Sequence, residues 1–518
     1  MKGKNNAAGR WIPAKINGKP AIPFQGVGKY KPAGQKTSSP IVSCADFPKD
    51  GNKVVPSLRK ALERAGLRDG MTISTHHHFR NGDKVANQIF DTAAKMGIKN
   101  LRWFPSASFP CHESIIKHMD SGVVHYIEAS LNGPMGEYCS RGRMKGQGVL
   151  RSHGCRYRSI QDGEVHIDIA VIAAPTADPF GNANGLTGKS ACGLLGFALA
   201  DSQYADKVIV VTDNLIPFPC IPWQIQGNYV DYVVTMADIG DPTQIVSGTT
   251  RITRSPARLL IAEYTARFIK EAGIMKDGFS FQAGAGGTAL AFVLYLKEFM
   301  KEANVKARFV RGGSTKYLVE LLEERLTDYI LDGQTFDLDG VRSMRENPHH
   351  MNTSPFTSYN YHGKGNFASM VDAVILGATE IDVNYNANVV THSDGMLLHG
   401  MGGWQDCLFS NCTILAVPSF RDRIPVIVES VTTLCGPGEL IDVVITEKGI
   451  AINPRRKDLL KALKGSTLPI KPIEEIKKEI ERICGGAPSP PKVDKEHVVA
   501  AIQWVDGTII DVVYKVQE

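Results

Sequence analysis

The chain has 518 residues, of which 43% are hydrophobic and 22% charged, a composition typical of globular proteins. It is too long for one hydrophobic core, so we expect two or more domains. The net charge of +6 is spread without a block of lysine and arginine, which argues against nucleic-acid binding. No apolar stretch reaches about 18 residues, so no transmembrane helix is predicted. Ten cysteines without a CxxC pair, and a start without an apolar signal core, predict a reduced cytoplasmic protein.

In chain order, the sequence predicts an N-terminal arm, then alternating helices and strands, then a hairpin. Residues 1–45 are rich in Gly, Pro and Lys and indicate an arm on the surface. "SLRKALERAGL" has helical spacing of Leu and Ala, whereas "DIAVIAA", "KVIVVTD", "ATEIDVNY" and "DVVIT" are short apolar runs typical of buried strands. This alternation predicts an α/β fold with largely parallel sheets.

The last residues, 465–518, contain a charged amphipathic helix, a Gly/Pro linker and a hairpin. The hairpin is predicted because "HVVAAIQWVDGTIIDVVYKV" alternates apolar and polar residues on both sides of Asp506 and Gly507. We expect it to extend the edge of a sheet. A hairpin that docks a partner protein is the alternative.

The second half of the chain repeats the pattern of the first. Three segments match in the same order and at nearly the same offset along the chain. In one of them, Asp168 and Asp382 each precede a glycine, Gly181 or Gly395, at the same spacing. Three matches in register predict two tandem homologous domains, 46–262 and 263–464. The matched pairs are residues 68–74 with 276–282, 166–182 with 380–396, and 230–240 with 441–451.

A glycine cluster in "DGFSFQAGAGGTALAF" separates a predicted strand from a predicted helix. Its backbone amides suit an anionic ligand, although the motif is neither a Walker A loop nor a complete GxGxxG, and a tight turn would also explain it. Ligands of open α/β sheets bind beyond the carboxyl ends of the strands, so equivalent loops of the two halves should meet at one site. The predicted ligand-binding residues are Gly284, Ala285, Gly286 and Gly287.

The equivalent loop of the first half is "THHHFRNGD". Adjacent histidines on a strand point to opposite faces, and no HExxH spacing is present, so we do not predict a zinc site. We expect these side chains to line the crevice and bind a polycarboxylate, with an arginine that pairs with a carboxylate. A polar loop without a ligand is the alternative. The predicted substrate-binding residues here are His76, His77, His78, Arg80 and Asn81.

Two further segments can contribute to the same crevice. In "SDGMLLHGMGGWQD", backbone amides of a second glycine cluster could form an oxyanion hole, and we predict catalytic roles for Gly402, Gly403 and Gln405. In "RGGSTKYLVELLEE", Arg311 is a predicted anion contact. A fourth glycine turn lies at residues 362–370, and no GxSxG nucleophile motif occurs.

These motifs together resemble the CoA-transferase superfamily. The resemblance rests on the repeat, on "DPFGNANG" in the first half, and on "FQAGAGG" and "HGMGGWQD" in the second. Within the superfamily, "HHHFRNGDKVANQ", "GEYCSRGRMKGQG" and "YNYHGKGNFASM" are similar to the alpha chains of citrate lyases, over essentially the whole length.

The resemblance implies a transferase that exchanges acetate for citrate on an acyl-carrier thioester. Its expected partners are a beta chain, which cleaves citryl thioester to oxaloacetate and acetyl carrier, and a gamma chain, the acyl carrier. It also implies no metal and no cofactor bound by this chain, because the thioester is carried on CoA or on the dephospho-CoA-type arm of the carrier. The loop at residues 284–287 would then bind the thioester. An oligomer is expected.

The chain departs from related CoA-transferases at one position. Those enzymes form an acyl link to a catalytic glutamate, whereas the corresponding position here falls near Gly312, and no glutamate occurs between Ala303 and Glu320. The resemblance therefore implies that a citrate carboxylate itself attacks the acetyl thioester and forms a mixed anhydride.

Three alternatives remain open at this stage. A covalent glutamate elsewhere, such as Glu346, would make the chain another carboxylate CoA-transferase. A nucleotide-dependent oxidoreductase would use the glycine loops, although the acidic residue that contacts a ribose is missing. A non-catalytic scaffold would need no polar crevice.

Overall fold

The computed structural model describes residues 2–30, 47–246, 251–360 and 364–517. These residues form two large sheets, of seven and eight strands, one in each half of the chain. In the first sheet all strands are parallel, and strands Ile169–Ala173 and Lys207–Thr212 are buried at all but one of their residues, which explains their runs of Val, Ile and Ala. Its strands, in spatial order, are Val54–Val55, Tyr232–Thr235, Lys207–Thr212, Ile169–Ala173, Thr72–Thr75, Leu101–Pro105 and Val124–Ile127.

The second sheet repeats this order. Six of its strands correspond one to one, in spatial order and in chain order, with the last six of the first sheet. On one side, the last strand of the eight-stranded sheet runs antiparallel to its neighbour and pairs with it through four residues. Its strands, in the same direction, are Gly449–Ile452, Val443–Thr446, Thr413–Ala416, Ala373–Leu376, Phe279–Ala283, Ala307–Ser314, Ile330–Thr335 and His350–Asn352.

Hydrogen bonds of aspartates fix the register of the repeat. Asp168 accepts from the backbone N–H of Thr72, and Asp372 accepts in the same way from Ser280. The duplication is therefore real, but the sequence match of Asp168 with Asp382 is wrong, because Asp372 holds the equivalent place. Asp382 instead corresponds to Asp178, because each carboxylate binds the backbone N–H groups two and four residues ahead and an asparagine amide.

Helices pack against both sheets. Helix Pro256–Glu271 packs on the adjacent helix of the second half, and Ile261 and Ala262 lie in the core of that half. The expected boundary at 262/263 therefore cuts through a helix that belongs with the second sheet. None of the described helices is long and apolar enough to cross a membrane. They are Leu58–Arg64, Val85–Lys95, Ile116–Asp120, Pro134–Ser140, His153–Gln161, Ala198–Tyr204, Pro256–Glu271, Gly287–Ala303, Lys316–Glu323, Leu338–Glu346, Ser354–Tyr359, Trp404–Cys407, Lys457–Ala462 and Ile473–Cys484.

The two ends of the chain pack together. Strands Val493–Gln503 and Ile509–Val516 form the predicted hairpin, which pairs in parallel with Gly148–Leu150 of the first half. The arm lies against it: the backbone N–H of Phe24 donates to the carbonyl oxygen of Ile509, at 2.8 Å. Residues 31–46, the end of the expected arm, lie outside the described residues.

Candidate active site between the two sheets

The loops predicted to be equivalent do follow equivalent strands. The three histidines come directly after strand Thr72–Thr75, and Gly284 comes directly after strand Phe279–Ala283. These two strands occupy the same place in their sheets, and in a parallel sheet the carboxyl ends of the strands face one edge. The predicted residues thus start from matching positions.

Two of the three histidines are held inside the first half. The Nε2 atom of His76 lies 2.9 Å from Oδ2 of Asp201, which also binds Arg156 at 2.7 Å. Although burial alone would raise it, the charges of Arg156 and His76 hold the pKa of Asp201 well below its usual range. His78 bonds the carbonyl oxygen of Ala173 through Nε2 at 2.6 Å. These contacts fix the positions of the two rings, and the Nδ1 atom of each ring has no hydrogen-bond partner among the described residues.

His77 is the histidine that reaches the other half of the chain. Its Nδ1 lies 2.6 Å from Oγ of Ser106, and its Nε2 lies 3.3 Å from Oε1 of Gln334, at the end of strand Ile330–Thr335. Burial, followed by the nearby charges of His153 and Arg80, lowers the pKa of His77 well below its usual value. The ring is therefore neutral at physiological pH. The Oε1 atom of Gln334 faces His77, so the amide nitrogen of Gln334 points elsewhere. This nitrogen, Nε2, has no hydrogen-bond partner within the described part of the chain.

Arg80 bridges the two halves through aromatic rings. Its guanidinium carbon lies 4.5 Å from the ring centre of Phe336 and 5.7 Å from that of Phe109. Burial lowers the pKa of Arg80 to about 10, so the side chain remains charged. Within the described residues, Nη1 of Arg80 has no hydrogen-bond partner. Asn81, in contrast, accepts from the backbone N–H of Cys111 and is part of the loop's own structure.

Arg311 is fully buried within strand Ala307–Ser314. Nη1 donates to Oε1 of Gln282 at 2.6 Å, and the guanidinium lies 4.7 Å from the ring centre of Tyr359. Its Nε and Nη2 atoms find no hydrogen-bond partner among the residues described. A buried N–H group without a partner costs about 1–3 kcal/mol, and more when it is charged. Such groups at one site indicate a ligand with several acceptor oxygens.

The second glycine cluster lies against this site. The carbonyl oxygen of Gly402 accepts from the backbone N–H of His153 at 2.8 Å, and a Cβ at Gly403 would lie 2.9 Å from the ring of Tyr359. The ring centres of His153 and His77 are 5.7 Å apart. Gln405 is buried and its Nε2 donates to the carbonyl oxygen of Cys435, whereas its Oε1 atom has no hydrogen-bond partner among the described residues.

The loop at residues 284–287 is the open part of the arrangement. Gly286 caps the 17-residue helix Gly287–Ala303, and a Cβ at Gly286 would meet no atom within 4 Å. The strand before it is tied to the second cluster, because Gln282 donates to Sγ of Cys407 at 2.9 Å. Contacts through Gln282 therefore connect this exposed loop with buried Arg311.

Asp406 connects the two halves of the chain through hydrogen bonds. Its carboxylate accepts from Oγ of Ser152 at 2.7 Å and from the backbone N–H of Gly154 at 3.0 Å, at the start of helix His153–Gln161. The carboxylate belongs to the second half and the helix to the first. Burial raises the pKa of Asp406 to about 7.

Comparison with known proteins identifies the family. The family model "Citrate lyase, alpha subunit (CitF)" matches residues 51–516. The citrate lyase alpha chain of Haemophilus influenzae is 41% identical over 469 residues, 90% of this chain and 93% of that one. The Escherichia coli alpha chain is 40% identical over 468 residues, 90% and 91% of the two chains. The chain belongs to the citrate lyase alpha subunit family.

Solved structures agree with this assignment. The alpha subunit of citrate lyase from Streptococcus mutans, solved in complex with citrate, matches with a TM-score of 0.94 at 41% identity, over 99% of this chain and 100% of that one. The malonate decarboxylase alpha subunit of Acinetobacter baumannii matches with a TM-score of 0.62 at 16% identity, over 83% of this chain and 88% of that one, and has a similar fold. The predicted fold class and family are confirmed. This alpha chain is the transferase subunit of citrate lyase, a multi-subunit enzyme.

Several residues of the alpha chain's site are absent from the sequence-based predictions. His153 stands alone after a serine that caps its helix, and Tyr359, Gln282 and Gln334 are single polar residues at the ends of buried elements. Of the fourth glycine turn, residues 361–363 lie outside the described residues. Glu346, the alternative covalent residue, is exposed and pairs with Arg345.

Asp406→Asn is expected to flatten the pH dependence of the alpha chain's stability. The pKa of Asp406 is about 7 in the folded chain and near 3.8 in the unfolded chain. The unfolded chain therefore loses this proton at a lower pH than the folded chain does. The free energy of unfolding therefore falls as pH rises from about 4 to about 7, by about 4 kcal/mol for such a shift. Asparagine, which has no such proton, removes this fall.

Urea melts of both proteins at pH 5 and pH 8 measure the effect. Asp511, whose pKa burial raises to about 6, contributes equally to both, so the difference between the two profiles reports on Asp406. Parallel profiles would contradict the assignment.

Proposed function

We propose that this alpha chain binds citrate in the crevice between the sheets and transfers the acyl-carrier thioester from acetate to citrate. The observation that carries the proposal is the set of unpaired N–H groups on Arg80, Arg311 and Gln334, close to neutral His77. Citrate has three carboxylates, so two can be held by the arginines while the third stays free to react. The citrate bound to the related Streptococcus mutans subunit supports this choice of ligand.

The reaction proceeds by two acyl transfers. A carboxylate oxygen of citrate attacks the carbonyl carbon of the acetyl thioester, the C–S bond breaks, and the carrier thiolate leaves. The product is a mixed anhydride of acetate and citrate. The thiolate then attacks the citryl carbonyl carbon of the anhydride, the bond to the acetate oxygen breaks, and citryl thioester and acetate result. No proton is consumed.

The chain's own residues supply orientation and charge stabilisation. Backbone amides near Gly402 and Gly403 would stabilise the oxyanion of each tetrahedral intermediate. Orientation of two bound reactants can contribute about 7–11 kcal/mol without a protein nucleophile. The absence of a glutamate at Gly312 and the exposed position of Glu346 favour direct attack by citrate over a covalent enzyme intermediate. Burial of the crevice keeps water from the anhydride.

The wider assembly follows from the same proposal. The thioester would be carried on CoA or on the dephospho-CoA-type arm of an acyl carrier gamma chain, whose sulfur end enters past residues 284–287. A beta chain would cleave the citryl thioester. We assign no metal and no bound cofactor to the alpha chain, and we place the complex in the cytoplasm.

An acyl-exchange assay tests the proposal. The purified chain is incubated with citrate and either acetyl-CoA or acetylated carrier, and thioesters are measured by mass spectrometry. Citryl thioester should form with an equal amount of acetate. Borohydride or hydroxylamine treatment during turnover should leave the chain's mass unchanged. Intact acetyl thioester with both donors would overturn the proposal, and an acylated glutamate would replace direct attack by a covalent mechanism.

Arg80→Ala is expected to raise the KM for citrate about 10- to 100-fold and to change the KM for the thioester little. The reason is the loss of one charge-assisted hydrogen bond, worth about 1.5–3 kcal/mol, to a citrate carboxylate. Steady-state kinetics with each substrate varied in turn measure both constants. Lys84→Ala, which removes an exposed charge nearby in the chain, is the control. Equal increases for both substrates would contradict the role of Arg80.

Gly286→Val is expected to have the opposite selectivity. The Cβ of the added side chain meets no atom within 4 Å, so the melting temperature should change little, but the side chain narrows the open approach to the helix start. The KM for acetyl thioester should rise about tenfold or more, the loss of roughly 1.4 kcal/mol of binding. Unchanged kinetics with a lowered melting temperature would show that the loop has a structural role alone.

A further inference from the structure

An exposed apolar patch lies on the first half of the chain, formed by Leu215, Phe218, Ile221 and Trp223 together with Phe180. Phe218 is 62% exposed, Ile221 66% and Trp223 47%. The rings of Phe180 and Phe218 are in contact, with their centres 5.4 Å apart. The whole segment "NLIPFPCIPWQIQ", residues 214–226, contains no charged residue. Contiguous apolar surface of this kind marks an interaction site.

The patch is built rigidly. The backbone N–H of Cys220 donates to Oδ2 of Asp178 at 2.7 Å, and Nδ2 of Asn184 donates to the carbonyl oxygen of Pro222 at 2.9 Å. Oε1 of Gln224 accepts from the N–H group of Gly185. The apolar side chains are therefore held outward by hydrogen bonds beneath them, which lowers the entropic cost of docking.

The repeat allows this patch to be compared with the equivalent surface of the second half. Asp178 corresponds to Asp382, and the N–H of Val431 binds Asp382 as that of Cys220 binds Asp178. Five residues further on, Ile225 and Gly436 pair with equivalent residues of the two halves. Trp223 thus corresponds to Leu434.

In the second half this surface is covered. Val431 and Leu434 are each only 2% exposed. Nη2 of Arg10, in the arm, donates to the carbonyl oxygen of Val431, and Asp511, in the hairpin, accepts from the N–H of Leu434. The arm and the hairpin therefore both pack against this surface of the second half. The same surface of the first half is left without an equivalent cover among the described residues.

We propose that the patch of residues 215–223 with Phe180 is the two-fold contact through which two copies of this chain associate. An uncharged surface is complementary to itself about a two-fold axis, because no like charges are brought together. Large apolar side chains have a surface of about 150–250 Å² each. At their exposed fractions, the five side chains of the patch together expose about 500 Å². That area forms the apolar centre of an interface of about 800 Å² per partner, the size that stable complexes use.

A carrier protein is the less suitable occupant. A carrier must leave after each transfer, and interfaces that open in every turnover are smaller and more polar than permanent ones. The patch has the aromatic, uncharged composition of a permanent interface. It also lies outside the group of residues that we place around citrate, so dimerisation and acyl transfer can be tested separately.

The test is the oligomeric state of the full chain. Sedimentation velocity of the wild type, Phe218→Lys and Ile221→Lys is compared over a range of concentrations. We expect a wild-type dimer at micromolar concentration and a dimer dissociation constant raised by about 100-fold or more in both variants, as for central residues of an interface. Leu460→Lys, at an exposed leucine of the second half, is the matched control and should remain dimeric. Acyl exchange and the melting temperature should match the wild type in every variant that stays folded.

A second measurement does not depend on the variants. Hydrogen exchange of wild-type residues 214–226 should slow when the concentration is raised through the dissociation constant. A monomeric wild type, or variants that remain dimeric, would overturn the proposal. A monomeric wild type that binds carrier, with binding lost in Ile221→Lys, would also overturn it and assign the patch to the carrier instead.

Discussion

Replacing Arg311 with methionine is expected to reduce kcat/KM for acyl exchange by about 10²- to 10⁴-fold while the protein stays folded. The side chain is fully buried, and its Nε and Nη2 atoms are unpaired among the described residues, as required for a two-bond contact with a carboxylate. Two charge-assisted hydrogen bonds are worth about 3–6 kcal/mol, which gives this range. Methionine is unbranched like the stem of arginine, and it carries no charge.

Stability separates this role from a structural one. Arg311 is a fully buried cation, and a charge held away from water costs desolvation free energy, so its removal takes this cost out of the core. The melting temperature of Arg311→Met should therefore be unchanged or higher. Arg308→Met changes an exposed arginine three positions earlier on the same strand and should leave activity intact. Full activity in Arg311→Met, or equal losses in both variants, would remove Arg311 from the site.

Gly154→Val is expected to have the largest effect on stability. A Cβ at Gly154 would lie 2.1 Å from the carbonyl oxygen of Tyr359 and 2.6 Å from Oδ1 of Asp406, both in the other half of the chain. The backbone oxygen cannot move aside without shifting helix Ser354–Tyr359, which helps to form the site. We expect a loss of about 3 kcal/mol or more in the free energy of unfolding, together with loss of transfer.

Thermal unfolding and the acyl-exchange assay measure the two effects. Gly377→Val is the matched control, because that glycine is exposed and a Cβ there would meet no atom within 4 Å. A melting temperature equal to that of the wild type in Gly154→Val would mean that the two halves do not close on each other as described.

The fold can be predicted from sequence because it is repeated. Buried strands such as Ile169–Ala173 and Ala373–Leu376 look alike and recur in the same order, which defines the α/β class without knowledge of any contact. The register is harder to predict. A short sequence contains several aspartates followed by glycine or asparagine, and only the hydrogen bonds of Asp178 and Asp382 show which of them correspond. The helix at the boundary is misplaced because its residues give no sign of which sheet it covers.

The site can be predicted only in part. Unusual runs, the three histidines and the glycine clusters, locate the loops, and Arg80 and Arg311 do meet the other half or the buried centre. Composition cannot show that His76 and His78 are taken up by Asp201 and Ala173. Nor can it show that isolated residues such as His153 and Gln334 reach the site, since their proximity depends on contacts between segments far apart in the chain.

The pairing of the two chain ends has a consequence for synthesis. The N–H group of Phe24 finds its acceptor, the carbonyl oxygen of Ile509, only near the opposite end of the chain. At about 5–20 residues per second, Phe24 is made roughly 25–100 s before its acceptor Ile509 exists. The first sheet can form on the ribosome during that time, whereas the contact of the arm with the hairpin cannot. This contact therefore forms only when synthesis of the chain is almost complete, and a ribosome that stalls before the hairpin is complete would leave Phe24 without its acceptor.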